Sequence, residues 1–584
     1  MIYISLPTLI FIITFFRPAI SIIAGLIVFL LLARIVLEQR RAQVGSGISN
    51  SDGNGNRVNE SPAKSGTTRS KVSPQSGGQI MDKLSAASPA CRQSRHIAAF
   101  LIILALVVLS GIGCVMFQNT DHYYRNTLFE MLVKYSWPVE FDMPMPEGII
   151  DHRLMIYYIG FWFPAAVVGK IFGLAAGYGF QILWAALGVF LFYRLVCLKL
   201  GTDSLWPLLV FFMFSGLDAA AFLLEGVKIV FPGHMEWWCA WQFSSFTTQL
   251  FWVFNQAIPA WVAVMLILLQ KNNRYIVFIL GSLLLCSTLP FIGLLPIAAY
   301  LCLSREYEGT ARLSPKWAAA FLRDTFTLEN VIGGGITGLL TFAYIRGNDS
   351  GRFHLLLFES AHMFFVYIVF LVLEVGVYLA LLFPKHRKDG LFYVIGCCFV
   401  LCPIIQIGSS SDFCMRASIP SLVILYVMVC EALAEKKGVG GSESLIPWLL
   451  RSVRDGKSRG AGTNDNVCGS LKDIVDESAN EGVNEKVCGS PGENKSVRRS
   501  RKAGIICLAD TLYRKYLRFA LIVVLLVGMV TPVHEIGRSI VETTGQYAEY
   551  GTLHLQKVPE YNVMTEPNFS GSTEDNFYYR YLAG

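Results

Sequence analysis

The stretch IAAFLIILALVVLSGIGCVMFQNTDHYYRN, residues 97–126, begins as a long apolar run and ends in Asp121, His122 and Arg125. A helix needs about 20 apolar residues to cross about 30 Å of hydrocarbon, and 97–117 supplies them. Comparable runs recur along all 584 residues, of which 53% are hydrophobic and only 16% charged. Soluble chains of this length carry more charge. The sequence therefore specifies an all-α polytopic membrane protein, and the question is what the charged residues do where a span ends.

Twelve transmembrane helices are expected, at 9–33, 97–117, 177–197, 203–223, 246–270, 275–288, 289–304, 329–345, 360–384, 390–408, 417–434 and 516–533. The opening run is too long for a secretory signal and lacks a small-residue cleavage site, so residues 1–41 read as a retained N-terminal membrane anchor. Arg17-Pro18 in its middle marks either one long span or a kink or tight hairpin. Basic clusters at Arg34, Arg40 and Arg41, at Arg194 and Lys199, at Lys271 and Arg274, at Arg305, and at Lys385, Arg387 and Lys388 all fall on one side under this threading. Short loops rich in Lys and Arg stay in the cytoplasm. That places 118–176, 224–245, 346–359, 409–416 and 534–584 on the outer face.

Residues 42–94 and 436–505 are rich in Gly, Ser, Asn and charge and read as disordered cytoplasmic linkers. They divide the chain into the anchor, a transmembrane core at 95–435, a last helix at 506–533 and an outer C-terminal tail at 534–584. The duplicated VCGS (467–470 and 487–490) reads as linker repetition, and SVRRSRK (496–502) as a topological and headgroup-binding signal, with no nucleic acid implied. The 14 cysteines form no CxxC pair and read as small core residues.

The outer segments hold the chemistry. In 118–176 a surface-lying helix is expected over TLFEMLVKY, followed by a second interfacial helix over DHRLMIYYIGFWFPAAVVGKIFG, residues 151–173. In and beside 224–245, Asp218, Glu225, His234 and Glu236 lie among Trp237, Trp238, Trp241 and Trp252, an interfacial aromatic girdle. Carboxylates at this depth are costly unless they serve a site or a partner, and the same holds for Glu374 inside the span 360–384. Asp412 and Arg416, four residues apart, pair with each other or with a ligand. Asp349 and Arg352 read as solvated loop charge. Tyr578, Tyr579 and Tyr581 imply that the tail docks back on the protein or the membrane surface.

An outer loop opening on an acid, a YY…W…P…G pattern behind it, a span emerging at another acid and a late loop with Arg before a Pro-containing span together resemble the GT-C superfamily of integral-membrane glycosyltransferases. The resemblance covers about residues 97–430. Within it the chain looks most like bacterial proteins related to the protein mannosyltransferase and lipid A aminoarabinose transferase groups. It implies sugar transfer from a polyprenyl-phosphate donor to an acceptor outside the cytoplasm, at the outer face of the plasma membrane. Asp121 matches the acid that serves as general base, Asp218 or Glu236 the second catalytic carboxylate, and Arg416 the arginine that holds the donor phosphate. His122, Arg125, Asp412 and His234 would add substrate contacts. No DxD or DxE pair is present, which leaves a divalent metal cofactor open.

Residue chemistry offers the same roles, and plainer ones. A carboxylate can take a hydroxyl proton, and an arginine fork can hold phosphate oxygens in pairs. Asp121 could equally cap the helix behind it or pair with Arg125. The other functional classes compatible with the sequence are a transporter or flippase for lipid-linked sugar and a non-catalytic membrane subunit. Paired inverted repeats, the mark of many transporters, are not evident.

Overall fold

Pro18 has no amide hydrogen to donate and pushes the residue before it out of helical geometry. In the computed structural model the opening apolar run is accordingly two helices, Ile2–Phe15 and Pro18–Ser51, joined through Phe16 and Arg17. A Cβ on Gly25 would lie 2.9 Å from Ile13 Cγ1, so the second helix folds back along the first. The tight hairpin is the outcome, in place of a single span over 9–33. The first helix is also built into the core: Tyr3 stacks on Trp184 with ring centroids 4.3 Å apart, and Phe11 meets Tyr344 at 5.1 Å.

The structure describes residues 1–51, 89–144, 150–225, 233–349, 353–356, 358, 360–407, 412–434, 513–553, 557–574 and 576–584. The expected linker 42–94 lies mostly outside them, apart from its ends, which continue the flanking helices. The linker 436–505, with its VCGS repeats and SVRRSRK, lies wholly outside, as does Arg352.

Helices dominate, and five are long and apolar enough to cross a membrane: Pro18–Arg41, Ala90–Leu109, Leu174–Leu200, Ala361–His386 and Tyr513–Tyr550. A sixth results if Pro315–Thr325 and Glu329–Ile345, bent by 58° at their junction, act as one span. The other apolar helices are 10–17 residues long, Ile2–Phe15, Phe254–Leu269 and Ile419–Ala434 among them. Such lengths fall short of the roughly 20 residues a straight crossing requires. The count of twelve is thus not supported by length. Two expected spans are interrupted: 203–223 breaks between Met213 and Asp218, and 246–270 breaks at Val253.

The larger correction concerns residues 150–173. Instead of a second interfacial helix, Ile150–Met155 is a strand, β2, and helix resumes only at Phe163–Phe172 after a turn at Ile159–Trp162. β2 pairs antiparallel with β1 (Glu140–Pro144) on one side and with β5 (Ser570–Ser572) on the other. Asp142 stands opposite His152, and their side chains meet at 2.6 Å. Such cross-strand charge pairs stabilise a ladder. A second, two-stranded sheet joins β3 (Phe353–Leu355) to β4 (Ile405–Ile407).

β5 fastens the C-terminal tail. Gly571 passes so close to Gly347 that a Cβ there would sit 1.9 Å from the Gly347 carbonyl oxygen. Further on, Tyr578 is fully buried and donates to the Phe15 carbonyl at 2.6 Å, and the Arg17 amide donates to Leu582 at 2.9 Å. Tyr578 bears out the expected docking, whereas Tyr581 is exposed. Because Tyr578 also packs on Phe16 and Tyr344, Tyr578→Ala is expected to cost about 3–5 kcal/mol, the range for a large aromatic truncation. Limited proteolysis should then cut the tail far faster than in the wild type.

Candidate functional site

Asn119 holds the N-cap position of the helix Thr120–Lys134 without a capping side-chain bond, so Asp121 lies in the first turn and is not the capping residue. A carboxylate there is favoured by the helix dipole. One turn on, Arg125 Nη2 binds Asp121 Oδ2 at 2.7 Å. The pairing anticipated from their spacing is therefore present, and it uses one carboxylate oxygen. Asp121 remains 37% exposed while Arg125 is 4% exposed.

Asp121 and Arg125 open onto a cavity of about 590 Å³. Its opposite wall is the short helix Asp412–Ala417, which brings Asp412 and Arg416 to the same space. Arg416 Nη1 lies 3.2 Å from Asp412 Oδ2 and donates to the Tyr158 hydroxyl at 2.7 Å. Both arginines keep buried donors without a partner: Nη1 of Arg125 and Nε of Arg416. An unpaired buried guanidinium N–H is costly unless a ligand accepts from it. Apolar side chains add to the lining, among them Ile156, Leu289, Ile292, Ile345 and Ile407. The cavity thus offers two cationic forks beside a partly exposed carboxylate, with hydrocarbon around them.

Comparison with known proteins finds no matching family model, no matching curated protein and no matching solved structure. The reading of the cavity rests on its own geometry.

The other singled-out residues gather elsewhere. Asp218, His234 and Glu236 are buried and do not line the cavity. Asp218 accepts from Thr531 Oγ1 at 2.9 Å and Ser215 Oγ at 3.2 Å, and Glu236 accepts from the Ser245 amide at 2.9 Å and from Gln242 at 2.6 Å. His234 Nδ1 meets Glu535 Oε1 at 2.6 Å. His122 is also away from the cavity: its ring stacks on Phe254, and Nε2 lies 2.9 Å from the Phe251 carbonyl oxygen. Among the described residues no group of three His, Cys, Asp or Glu side chains is arranged to hold a metal ion.

Sequence reasoning missed two parts of this picture. Glu566, Pro567, Asn568 and Phe569 of the tail wall the cavity, together with Asn348. Only the tail tyrosines hinted at docking, and nothing local marked 566–569. Glu535 and Arg538 were also unmarked. Glu535 is fully buried and accepts from His234, from Trp252 Nε1 at 3.1 Å and from Arg538 Nη2 at 2.7 Å, while Arg538 also donates to the Asn119 side chain. This chain of contacts connects the buried acids to the residue at the N-cap position of the Asp121 helix.

The two histidines titrate in opposite senses. Burial disfavours charge on His234, but hydrogen bonds to Glu236 and Glu535 outweigh it and raise its pKa from 6.5 to about 9. Burial, aided by Arg125, lowers His122 to about 4 against the pull of Phe251 and Asp121. The stabilisation tied to protonated His234 is complete below the unfolded value of 6.5 and lost as pH rises through 9. Neutral His122 makes the folded state lose stability as pH falls from 6.5 toward 4, because only the unfolded chain takes up the proton. Thermal unfolding in detergent is expected to be highest near the common 6.5 and to decline on both sides. His234→Gln should flatten the alkaline limb.

Proposed function

We propose that the chain is a membrane glycosyltransferase that moves a sugar from a polyprenyl-phosphate donor to an acceptor on the outer face of the cytoplasmic membrane. The observation that carries this reading is the convergence of Asp121 and Arg416, nearly 300 residues apart in the sequence, on one cavity. In the reaction an acceptor hydroxyl attacks the anomeric carbon, a C–O bond forms there, and the bond from that carbon to the phosphate oxygen breaks. The phosphate leaves with the electron pair. Asp121 takes the hydroxyl proton as the new bond forms. Arg416, with Arg125 beside it, stabilises charge growing on the phosphate more than charge in the resting donor. Guanidinium suits this because its planar fork binds two phosphate oxygens together.

The apolar lining suits the start of a polyprenyl chain, and the GT-C-like arrangement read from the sequence supplies the topology, with the cavity on the outer side by the positive-inside pattern. Asp218, Glu236 and His234 stand outside the transfer step. Which acceptor is used, glycan, lipid or protein, is a matter for the glycan products. The reading is tested by removing the protein from cells and analysing their membrane lipids: one polyprenyl-phosphate sugar should accumulate, and re-expression of the wild type should clear it. A lipid-linked sugar pool that does not change in amount or composition would refute the assignment.

A further inference from the structure

Asp218 and Glu374 are two of the buried acids that neither the cavity nor the transfer reaction uses. Asp218 opens the helix Asp218–Glu225, just after the interruption in the apolar segment Trp206–Phe222. Glu374 sits in a wide turn, Val372–Gly376, within the membrane-length helix Ala361–His386. Wide turns of this kind recur at functional positions in helices, and interrupted membrane helices recur where small cations bind. The two segments are stitched together: the Leu217 amide donates to the Leu373 carbonyl at 3.1 Å. Gly216 lies against the Glu374 carboxyl so closely that a Cβ there would be 1.9 Å from Oε2. Any side chain at 216 would displace that carboxyl.

Asp218 follows Gly216 by two residues, so its carboxyl and that of Glu374 are neighbours in this crossing. Donors account for two of the other three oxygens: Thr531 and Ser215 give to Asp218 Oδ2, and Trp238 Nε1 gives to Glu374 Oε1 at 3.3 Å. Glu374 Oε2 has no donor, and its residue is 3% exposed. A carboxylate oxygen that is buried and without a donor requires a proton or a cation.

The charges around the pair argue for the proton. Glu236 adds a third carboxylate nearby, and His234 stands beside it. From the last helix, Glu535 and Arg538 neutralise one another and engage His234, with His534 behind them. Among the described residues, Tyr378 and Cys414 also face the pair. The two described cations, His234 and Arg538, are thus already matched by Glu535 and Glu236. Among the described residues no cation forms an ion pair with Asp218 or Glu374, and two neighbouring carboxylates cannot both stay ionised out of water.

We infer that Asp218 and Glu374 form a buried acid pair that binds one exchangeable proton between Glu374 Oε2 and the Asp218 carboxyl. The pair is a proton-binding site distinct from the cavity.

Infrared spectroscopy of the full chain in liposomes at neutral pH tests this. A carbonyl band of a protonated carboxylic acid, shifting on transfer to D₂O, is expected in the wild type and absent from the Asp218→Asn/Glu374→Gln double variant. A band that persists in the folded double variant, or that is missing from the wild type, overturns the inference. If the double variant does not fold, the wild type decides. Dicyclohexylcarbodiimide, which adds to protonated carboxyls in membranes, should label Glu374 or Asp218 equally in sodium chloride and choline chloride. Protection by sodium would assign the site to a metal cation, and absence of an adduct on both residues would remove the shared proton; either result overturns the proposal.

Discussion

Asp121→Asn is expected to slow sugar transfer by about 10²–10⁴-fold, the range for loss of a positioned general base. The amide has nearly the same shape and keeps an oxygen to accept from Arg125, whose Nη2 now reaches Asp121 Oδ2 at 2.7 Å. What it loses is the capacity to hold the acceptor proton as the new bond forms. The loss should fall on turnover, with donor affinity nearly unchanged, because Arg416 and Arg125 remain in place. Radiolabelled donor and purified protein in liposomes measure both quantities. A variant that turns over like the wild type would leave Asp121 as a helix-end ion pair and nothing more.

Glu535→Ala is expected to have a large effect on stability. The carboxylate is fully buried and meets His234 Nδ1 at 2.6 Å, Trp252 Nε1 at 3.1 Å and Arg538 Nη2 at 2.7 Å. Removing it takes the shortest ionic partner from two buried cationic groups and the acceptor from an indole N–H at once. Breaking a buried ion pair from one side costs about 3–5 kcal/mol, far more than an exposed pair such as Lys134 with Glu560, for which about 0–1 kcal/mol is typical. Because Arg538 also holds Asn119, the loss should loosen the start of the Asp121 helix as well. A melting temperature within error of the wild type would contradict the network. Lys134→Ala serves as the control, expected to unfold like the wild type.

The two effects differ in how far the sequence foretold them. Asp121 and Arg416 were legible because each is a charged residue at the edge of an apolar run, where a bilayer makes charge expensive. Pairing of Asp121 with Arg125 was legible from helical spacing. Glu535 and Arg538 were not: they follow the apolar window of the last helix, where charge is unremarkable, and their partners His234, Trp252 and Asn119 lie some 280 to 420 residues away.

The misreadings share that cause. Residues 151–173 carry enough apolar and aromatic character to read as an interfacial helix, yet β2 forms because β1 and the distant β5 complete its ladder. Pairing over such separations overrides local propensity. The break at Arg17-Pro18 was readable because proline acts locally. The expectation of twelve spans treats apolar runs other than 151–173 as crossings; runs of 10–17 residues instead form short helices. The family resemblance and the cost of carboxylates at the bilayer group Asp218 and Glu236 with Asp121, whereas folding brings them to a different place.

The central claim is that Arg416 holds the phosphate of a polyprenyl-phosphate donor in the cavity it shares with Asp121. Affinity for polyprenyl phosphate, measured on purified protein for the wild type, Arg416→Lys and Arg416→Ala, tests it most directly. A hydrogen-bonded charge contact is worth about 1.5–3 kcal/mol, so Arg416→Ala should weaken binding by about 10- to 150-fold. Arg416→Lys should fall between, since it keeps the charge and loses the fork. Equal affinity for all three proteins would place the donor phosphate elsewhere and contradict the account.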